Sequence, residues 1–190
     1  MYYPSVIETV GRSSKAFDLP TKLLQDRIIY LCGVIDEESA NMVIMQLLWL
    51  QADNEAEPIN LYINSPGGDV YQGLGIRDIM DGISCKVNTV GVGLCASMGA
   101  YLLAAGTGHR SATKNCRIMI HSVSSGSSGT FHDIEVDYEE TKYLQDTMIN
   151  DITEFTKGKA TARQIKDKTM RDCYMNVDEA IGLGLIDKKV

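Results

Sequence analysis

The chain has one long stretch without acidic residues, although it is acidic as a whole. No Asp or Glu occurs from Gly82 through His132, while the 190 residues include 25 Asp and Glu against 18 Lys and Arg, a net charge of −7. This balance argues against a nucleic-acid partner, because phosphate binding depends on clustered Lys and Arg. Any carboxylate that works with a group inside the stretch must therefore come from a distant part of the sequence.

Cysteine pairs and long apolar runs are also missing. The five cysteines are scattered, without a Cys-x-x-Cys pair, which argues against a disulfide framework or a zinc site and favours a reducing compartment. No segment has the roughly 18 continuous apolar residues that a membrane span needs, and the amino terminus lacks a signal-peptide pattern. We therefore expect a cytoplasmic protein with no membrane partner, in which most cysteines are small buried hydrophobes.

Strand and helix patterns alternate from residue 27 to residue 120. Apolar strand patterns cover residues 27–31, 59–63, 86–90 and 117–120. A helix pattern follows each of the first three, and turns are predicted at Pro66-Gly67-Gly68 and at Gly91 and Gly93. Alternation with short connections is typical of an α/β fold, in which helices cover the faces of a parallel sheet.

A long charged helix pattern runs from Phe131 to about Lys157, after the polar stretch SVSSGSSGT. Taken alone, that stretch predicts a flexible linker. The helix is too long and too polar to belong wholly to a compact core, so we expect it to project and to pack on something else. Two capping boxes, which begin at Thr161 and Asn176, predict two further short helices.

Ser97, in the nearly chargeless stretch GVGLCASMGA, admits three interpretations. The segment GVGLCA, residues 91–96, matches the GxGxxA pattern of dinucleotide-binding turns, but no acid follows at about 20 residues to hold a ribose. Small residues here could instead let a helix approach the sheet closely, with Ser97 as a helix cap. Ser97 could also be a nucleophile on a sharp strand-to-helix turn, which requires a base and an acid that orients the base.

The base of such a nucleophile must be one of only three histidines: His109, His121 and His132. His121 is preferred because it ends a parallel strand, at the rim where open α/β sheets place their sites. Gly67 and Gly68 follow another strand end, where backbone N–H groups can face a carbonyl oxygen as an oxyanion hole requires. Spacing does not select the acid, which stays open among Asp69, Asp78, Asp133, Asp137 and Asp172.

Several motifs occur in a specific order along nearly the whole chain: PSVIE, RIIYLCGVID, LYINSPGGDV, GLCASMGAYLLAAG, IMIH, MRDCYM and DEAIGLGLID. Together they resemble the ClpP family, the proteolytic subunit of the ATP-dependent Clp protease. The resemblance implies one peptidase domain over residues 1–190 with the crotonase-like ClpP fold, a parallel-sheet head domain with a projecting handle helix. It implies an N-terminal axial segment at about residues 1–20, and an inter-ring strand and the handle helix at about 122–157. This replaces the linker interpretation, because substrate lies extended beside that strand in the family.

The resemblance also implies a serine endopeptidase. Ser97 would be the nucleophile, His121 the general base and Asp172 the orienting acid. The backbone N–H groups of Gly68 and Met98 would form the oxyanion hole. No metal and no cofactor are implied for this subunit.

The implied partners are copies of the same chain, an unfoldase and the substrate. In the family, two stacked seven-membered rings enclose a chamber, which predicts a homo-oligomer. An AAA+ unfoldase of the Clp family uses ATP and feeds unfolded polypeptide into it.

The chain departs from the family pattern at several positions. Val123 stands where the family usually has proline, at the start of the segment 122–130 in which serines replace much of a family motif. Met170 replaces an acidic residue of an inter-ring ion-pair network. Asn60 stands where many members have an aromatic residue in the unfoldase docking pocket, although Tyr62 is retained. These departures concern peptide binding, ring register and docking, and leave the triad intact.

Two alternative functions stay open at this point. A crotonase-type acyl-CoA enzyme would share the fold and paired N–H donors, but it would not need a serine together with a His and an Asp. A non-catalytic subunit of a mixed ring would be expected to lack a triad residue, whereas all three are present.

Overall fold

The computed structural model describes residues 4–10 and 13–190. In chain order its strands are β1 (Ser5–Val10), β2 (Ser13–Asp18), β3 (Ile28–Ile35), β4 (Ile59–Gly68), β5 (Val87–Ala96), β6 (Arg110–Ala112), β7 (Arg117–Ile120), β8 (Cys173–Met175) and β9 (Lys188–Lys189). Its helices are α1 (Leu19–Gln25), α2 (Glu37–Asp53), α3 (Val70–Gly82), α4 (Met98–Ala104), α5 (Phe131–Phe155), α6 (Ala162–Thr169) and α7 (Val177–Leu183).

A mostly parallel sheet forms the centre of the molecule. Its strand order is β3-β4-β5-β6-β9, and β7 adds to β5 in parallel and to β8 in antiparallel orientation. The first two strands form a separate antiparallel hairpin. The predicted α/β fold with a parallel-sheet head is therefore confirmed.

The fifth strand changes its neighbour halfway along its length. It pairs with β6 from Thr89 to Gly91 and with β7 from Leu94 to Ala96. Between these segments Gly93 has a φ of +67°, a backbone conformation that glycine adopts without the steric cost of a Cβ. The strand thereby bends away from β6 and carries its end toward β7.

The turns predicted at Pro66-Gly67-Gly68 and at Gly91 and Gly93 were wrong, because both segments continue a strand. The structure keeps Gly91 and Gly93 inside β5, and it keeps Pro66-Gly67-Gly68 inside β4, where Gly67 and Gly68 pair with Val34 and Ile35 of β3. Glycines within a strand commonly mark an irregularity where a second backbone comes close. Here the pairing of β4 with β5 shifts register between Ile63 and Ser65.

Short polar side chains cap the starts of several helices. Asp36 caps α2 in a capping box with Ser39, and Asp69, considered above only as a candidate acid, caps α3. The capping boxes at Thr161 and Asn176 are confirmed as the starts of α6 and α7.

The core lies where the central strands pack against α2, α3 and α4. On α2 the sequence predicts a buried apolar stripe that includes Val43, Ile44, Leu47 and Leu48. Val43 and Leu47 are buried, whereas Leu48 is 48% exposed. Leu48 belongs instead to an outward apolar face of α2, together with Met42, Met45 and Trp49. Of the cysteines, Cys85, Cys95 and Cys116 are buried as expected, Cys173 is half-buried and Cys32 is exposed.

The long helix α5 projects from the head, as expected. From Phe131 to Tyr143 every residue except the half-buried Thr141 is exposed, whereas Leu144, Ile149 and Ile152 are buried. The segment before it, residues 121–130, is neither helix nor strand, so the expected inter-ring strand is not formed within a single chain. In the part of the chain that the structure describes, no helix combines the length and apolarity needed to cross a bilayer.

A buried arginine ties the last turns of α4 and α5 to the carboxyl-terminal segment. Arg110 is 2% exposed, and its Nη1 donates to the carbonyl oxygens of Ala104 (3.2 Å) and Phe155 (2.6 Å). Its Nε and Nη2 donate to the two carboxylate oxygens of Asp187, at 3.1 and 2.6 Å. These charge-assisted hydrogen bonds hold the pKa of the Asp187 carboxyl well below its usual value.

Replacing Asp187 by Asn should lower the free energy of unfolding by about 3 kcal/mol, because it leaves the buried Arg110 without its counter-charge. The measurement is urea denaturation of the parent and the variant near pH 7. Since the folded-state pKa of Asp187 is depressed, the difference should be full above about pH 4, the unfolded value, and should shrink as the pH falls below it. The matched control is Asp178→Asn, which removes an exposed pair with Lys189 and should cost less than about 1 kcal/mol. Equal losses in both variants would contradict the buried-pair explanation.

Candidate active site

The carboxyl ends of β4, β5 and β7 meet at a cleft of about 290 Å³. Parallel strands bring their carboxyl ends to one edge of the sheet, where open α/β sheets hold their ligands. The residues that line the cleft are Pro66, Gly68, Val70, Ser97, Met98, Met119, Ile120, His121, Ser122, Val123, Ser124, Met148 and Ile152.

Ser97 lies between the end of β5 and the first turn of α4, with φ 53° and ψ −123°. A positive φ is costly for a residue with a Cβ, and such strain persists only where surrounding contacts impose it. The Ser97 N–H donates to the Met119 carbonyl oxygen of β7 at 2.8 Å, which is one such contact. Ser97 occupies the N-cap position of α4, as one interpretation expected, but its hydroxyl makes no capping hydrogen bond to the helix.

Gly67 lets β4 approach Ser97 more closely than any side chain would permit. A Cβ on Gly67 would lie 2.6 Å from the Ser97 Cβ, 2.8 Å from the Ala96 carbonyl oxygen and 3.0 Å from the Met98 nitrogen. Gly67 also has a φ of +97°, which disfavours other residues. The amide of Met98, the first residue of α4, therefore lies beside Ser97 and the Gly67-Gly68 backbone, and as a first-turn amide it has no acceptor within its own helix.

The pairing of β7 with β8 brings His121 and Asp172 together. Ile120 of β7 is opposite Cys173 of β8 in an antiparallel register, so the residue after Ile120 meets the residue before Cys173. The distance from His121 Nδ1 to Asp172 Oδ1 is 3.8 Å, and the side chains are 26% and 61% exposed. This distance is too long for a hydrogen bond, so the two side chains are neighbours without being hydrogen-bonded in the single chain.

The other candidate bases and acids lie outside the cleft. His109 is in an exposed loop, and His132 is 86% exposed beside Glu135. Asp69 caps α3, Asp133 closes the capping box of α5, and Asp137 accepts a hydrogen bond from Ser127. Asp78 belongs to α3 and does not line the cleft. Of the five aspartates that spacing left open, Asp172 is the one beside His121.

A dinucleotide site is not supported, because residues 91–96 belong to β5 rather than to a phosphate-binding turn. Across residues 4–10 and 13–190, no three His, Cys, Asp or Glu side chains are grouped as metal ligands would be. The residues around Ser97 are those of nucleophilic chemistry with a His base and backbone N–H donors.

Met148 and Ile152 of α5 line the cleft, and the sequence analysis did not identify them. They are spaced four residues apart on the helix that was expected to project, so they share one face of it. Their apolar i, i+4 spacing within a charged helix is the signal that could have identified them.

The family model described as Clp protease matches residues 11–190. The chain is 46% identical over 188 residues to the ATP-dependent Clp protease proteolytic subunit 1 of Synechococcus sp. (strain CC9902), covering 98% of this chain and 94% of that protein. It is 45% identical over 185 residues to the ATP-dependent Clp protease proteolytic subunit 1 of Prochlorococcus marinus (strain MIT 9312), covering 97% of this chain and 94% of the relative.

Gly67→Ala should lower the free energy of unfolding by about 3 kcal/mol or more, because the new methyl group meets backbone and Ser97 atoms at a positive φ. The matched control is Gly75→Ala within α3, where the nearest atom to a new Cβ is Ile44 Cδ1 at 3.8 Å. That change should be neutral or stabilising by up to about 1 kcal/mol, as alanine is the better helix former. Urea denaturation of both variants measures the difference, and a stable Gly67→Ala protein would contradict the close approach.

Proposed function

The chain belongs to the Clp protease family, and from this premise we propose that it is a serine endopeptidase that cleaves unfolded polypeptides through an acyl-enzyme. The observation that carries the proposal is the position of Ser97. Its hydroxyl makes no capping bond, its backbone is strained, and it shares one cleft with His121, whose Nδ1 faces Asp172. The family match favours this function over crotonase-type acyl-CoA chemistry.

The first half of the reaction forms the acyl-enzyme. Ser97 Oγ attacks the carbonyl carbon of the peptide bond while His121 Nε2 takes the hydroxyl proton. Asp172, on the side of Nδ1, holds the imidazole in orientation and stabilises the imidazolium. When the C–N bond breaks, His121 gives the proton to the leaving amine, and the acyl group stays on Ser97.

The second half repeats these steps with water. His121 takes a proton from the water molecule that attacks the acyl carbon, and it returns that proton to Ser97 Oγ as the ester bond breaks. The backbone N–H groups of Gly68 and Met98 stabilise the negative oxygen in both tetrahedral intermediates. Each such donor is typically worth roughly 2.7–4 kcal/mol of transition-state stabilisation.

The substrate is an extended polypeptide that lies along residues 122–130. Ser122, Val123 and Ser124 line the cleft beside Ser97, and residues 122–130 pair with no strand in the described part of the chain. The N–H groups of Ser122 and Val123 already donate to the Thr169 carbonyl oxygen and to Gln145 Oε1, so we assign the pairing with an added peptide strand to the backbone of residues 124–130. Recognition through the backbone predicts poor side-chain specificity.

The subunit itself uses no cofactor and no metal in this proposal. Both relatives are named as subunits of an ATP-dependent protease, and we assign the ATP to an AAA+ unfoldase of the Clp family that delivers unfolded chains. Tyr62, half-buried on β4, and Asn60 are the residues proposed for its docking pocket. We place this activity in the cytoplasm.

Exposed apolar surfaces support assembly into two stacked seven-membered rings of identical chains. The projecting half of α5 exposes Phe131, Ile134 and Tyr138 on one face and Val136 and Tyr143 on the opposite face, and exposed apolar surfaces of this kind mark protein interfaces. The outward face of α2 supplies a second such surface. Met170, 73% exposed, lies with Val123 and Tyr138 around one depression near α5, so these two departures from the family pattern would meet at the contact between rings.

Ser97→Ala should abolish labelling by a fluorophosphonate probe and lower peptide hydrolysis by at least about 10⁴-fold, while the native mass stays the same. Asp172→Asn should lower hydrolysis by roughly 10²- to 10⁴-fold, because the imidazole loses its orienting charge. The matched control is Ser84→Ala, at an exposed serine outside the cleft, which should leave both readouts unchanged. Labelling that persists in Ser97→Ala would place the nucleophile elsewhere.

Native mass spectrometry should find a particle of about fourteen times the 20.9 kDa chain. Val136→Glu puts a charge on the exposed apolar face of α5 that carries Val136 and Tyr143. The mass should shift to single rings of about seven chains, since contact between rings would bury this charge without a partner. Val190→Glu is the matched control, because Val136 and Val190 are 68% and 60% exposed. A monomeric parent, or Val136→Glu with the parent mass, would refute the stacked-ring assembly through α5.

A further inference from the structure

A short hydrogen bond joins α4, the helix that begins after Ser97, to the long helix α5. The Tyr101 hydroxyl donates to Asp151 Oδ2 at 2.5 Å. On the other side, the Tyr101 N–H donates to the Ser97 carbonyl oxygen at 3.0 Å. Tyr101 is therefore bonded through its backbone to Ser97 and through its side chain to α5.

The surroundings hold Tyr101 in one place. Its side chain is 1% exposed, and its ring packs edge-on against Phe155 with the centroids 5.4 Å apart. The Arg77 guanidinium lies over the Phe155 ring, 5.4 Å from its centroid. A buried phenol needs a hydrogen-bond partner, and Asp151 provides it. Burial and this bond raise the pKa of Tyr101 far above its usual value, so the hydroxyl stays a donor throughout the range in which proteins work.

Arg110 provides a second link between the same two helices. Its Nη1 bridges the carbonyl oxygens of Ala104, at the end of α4, and Phe155, at the end of α5. The Tyr101 bond adds a link nearer to the start of α4. With both links in place, α4 cannot shift or rotate relative to α5 without losing buried polar contacts. Met148 and Ile152 of α5 line the cleft. The links between α4 and α5 therefore hold Ser97 in position relative to this wall of the cleft.

We propose that Tyr101 and Asp151 are positioning residues for Ser97: their hydrogen bond sets the location of the nucleophile relative to the wall that α5 contributes to the cleft. This inference rests on the proposed function of Ser97. Neither residue lines the cleft, so both act on the reaction through the placement of α4. A displacement of about 1 Å in a reacting group can cost up to roughly 10²-fold in rate, so a small relaxation of α4 is enough to be measured.

The test compares variants by the rate constant for fluorophosphonate labelling and by kcat and KM for a fluorogenic peptide. Tyr101→Phe keeps the ring against Phe155 and removes the hydroxyl. We expect the labelling rate and kcat to fall about 10-fold, KM to change less than about 2-fold, and the native mass to stay unchanged. A change confined to thermal stability, with the parent labelling rate, would refute the positioning role.

Asp151 supplies an independent pair of variants. Asp151→Asn keeps an oxygen acceptor for the hydroxyl and should label near the parent rate, whereas Asp151→Leu removes the acceptor and should fall as Tyr101→Phe does. The double variant Tyr101→Phe/Asp151→Leu should fall no further, because both changes remove the same bond. Additive losses in the double variant would overturn the proposal. Equal rates in Asp151→Asn and Asp151→Leu would also overturn it, and this second comparison can be made even if Tyr101→Phe does not assemble.

The matched control is a second tyrosine bonded to α5. The Tyr71 hydroxyl of α3 donates to Glu140 Oε1 at 2.9 Å, but α3 does not carry Ser97. Tyr71→Phe should therefore leave the labelling rate within about 2-fold of the parent. A parent protein that the probe does not label at Ser97 would refute the proposed function itself, whereas a labelled parent with an unchanged Tyr101→Phe refutes only the positioning pair.

Discussion

The candidate active-site cleft depends on one close backbone approach, that of β4 to the turn between β5 and α4. Gly67 leaves no room for a Cβ against Ser97, and the Ser97 N–H is bonded to Met119 of β7. Three strand ends are thus held together by main-chain atoms. Because side chains do not separate them, the amides proposed as the oxyanion hole and the proposed serine nucleophile lie close to one another.

The bend in β5 makes this convergence possible. A straight strand would stay beside β6, whereas the segment from Leu94 to Ala96 pairs with β7 and so places Ser97 next to that strand, which His121 directly follows. The same strand β7 then pairs with β8, which places Asp172 beyond His121. One irregular strand and one antiparallel pairing therefore assemble residues that are far apart in sequence.

The proposed catalysis and the proposed assembly both involve the helix α5. Its first half is exposed and apolar enough to be covered by another copy, while its second half lines the cleft and is bonded to α4 through Tyr101 and Arg110. A helix of 25 residues is continuous between the two regions. The proposed ring contacts on α5 are therefore connected to the proposed nucleophile through the hydrogen bonds between α5 and α4.

The sequence by itself determined the alternation of strands and helices, the capping boxes of α6 and α7 and the length of α5, because these depend on local spacing and local hydrogen bonds. It also singled out Ser97 and His121, since only three histidines were available and one follows a buried strand. Only the tertiary structure decided that the glycines continue β4 and β5 instead of ending them, that Asp172 is the aspartate beside His121, and that Met148 and Ile152 reach the cleft. Each of these depends on which strands and helices become neighbours, and spacing along one chain does not contain that information.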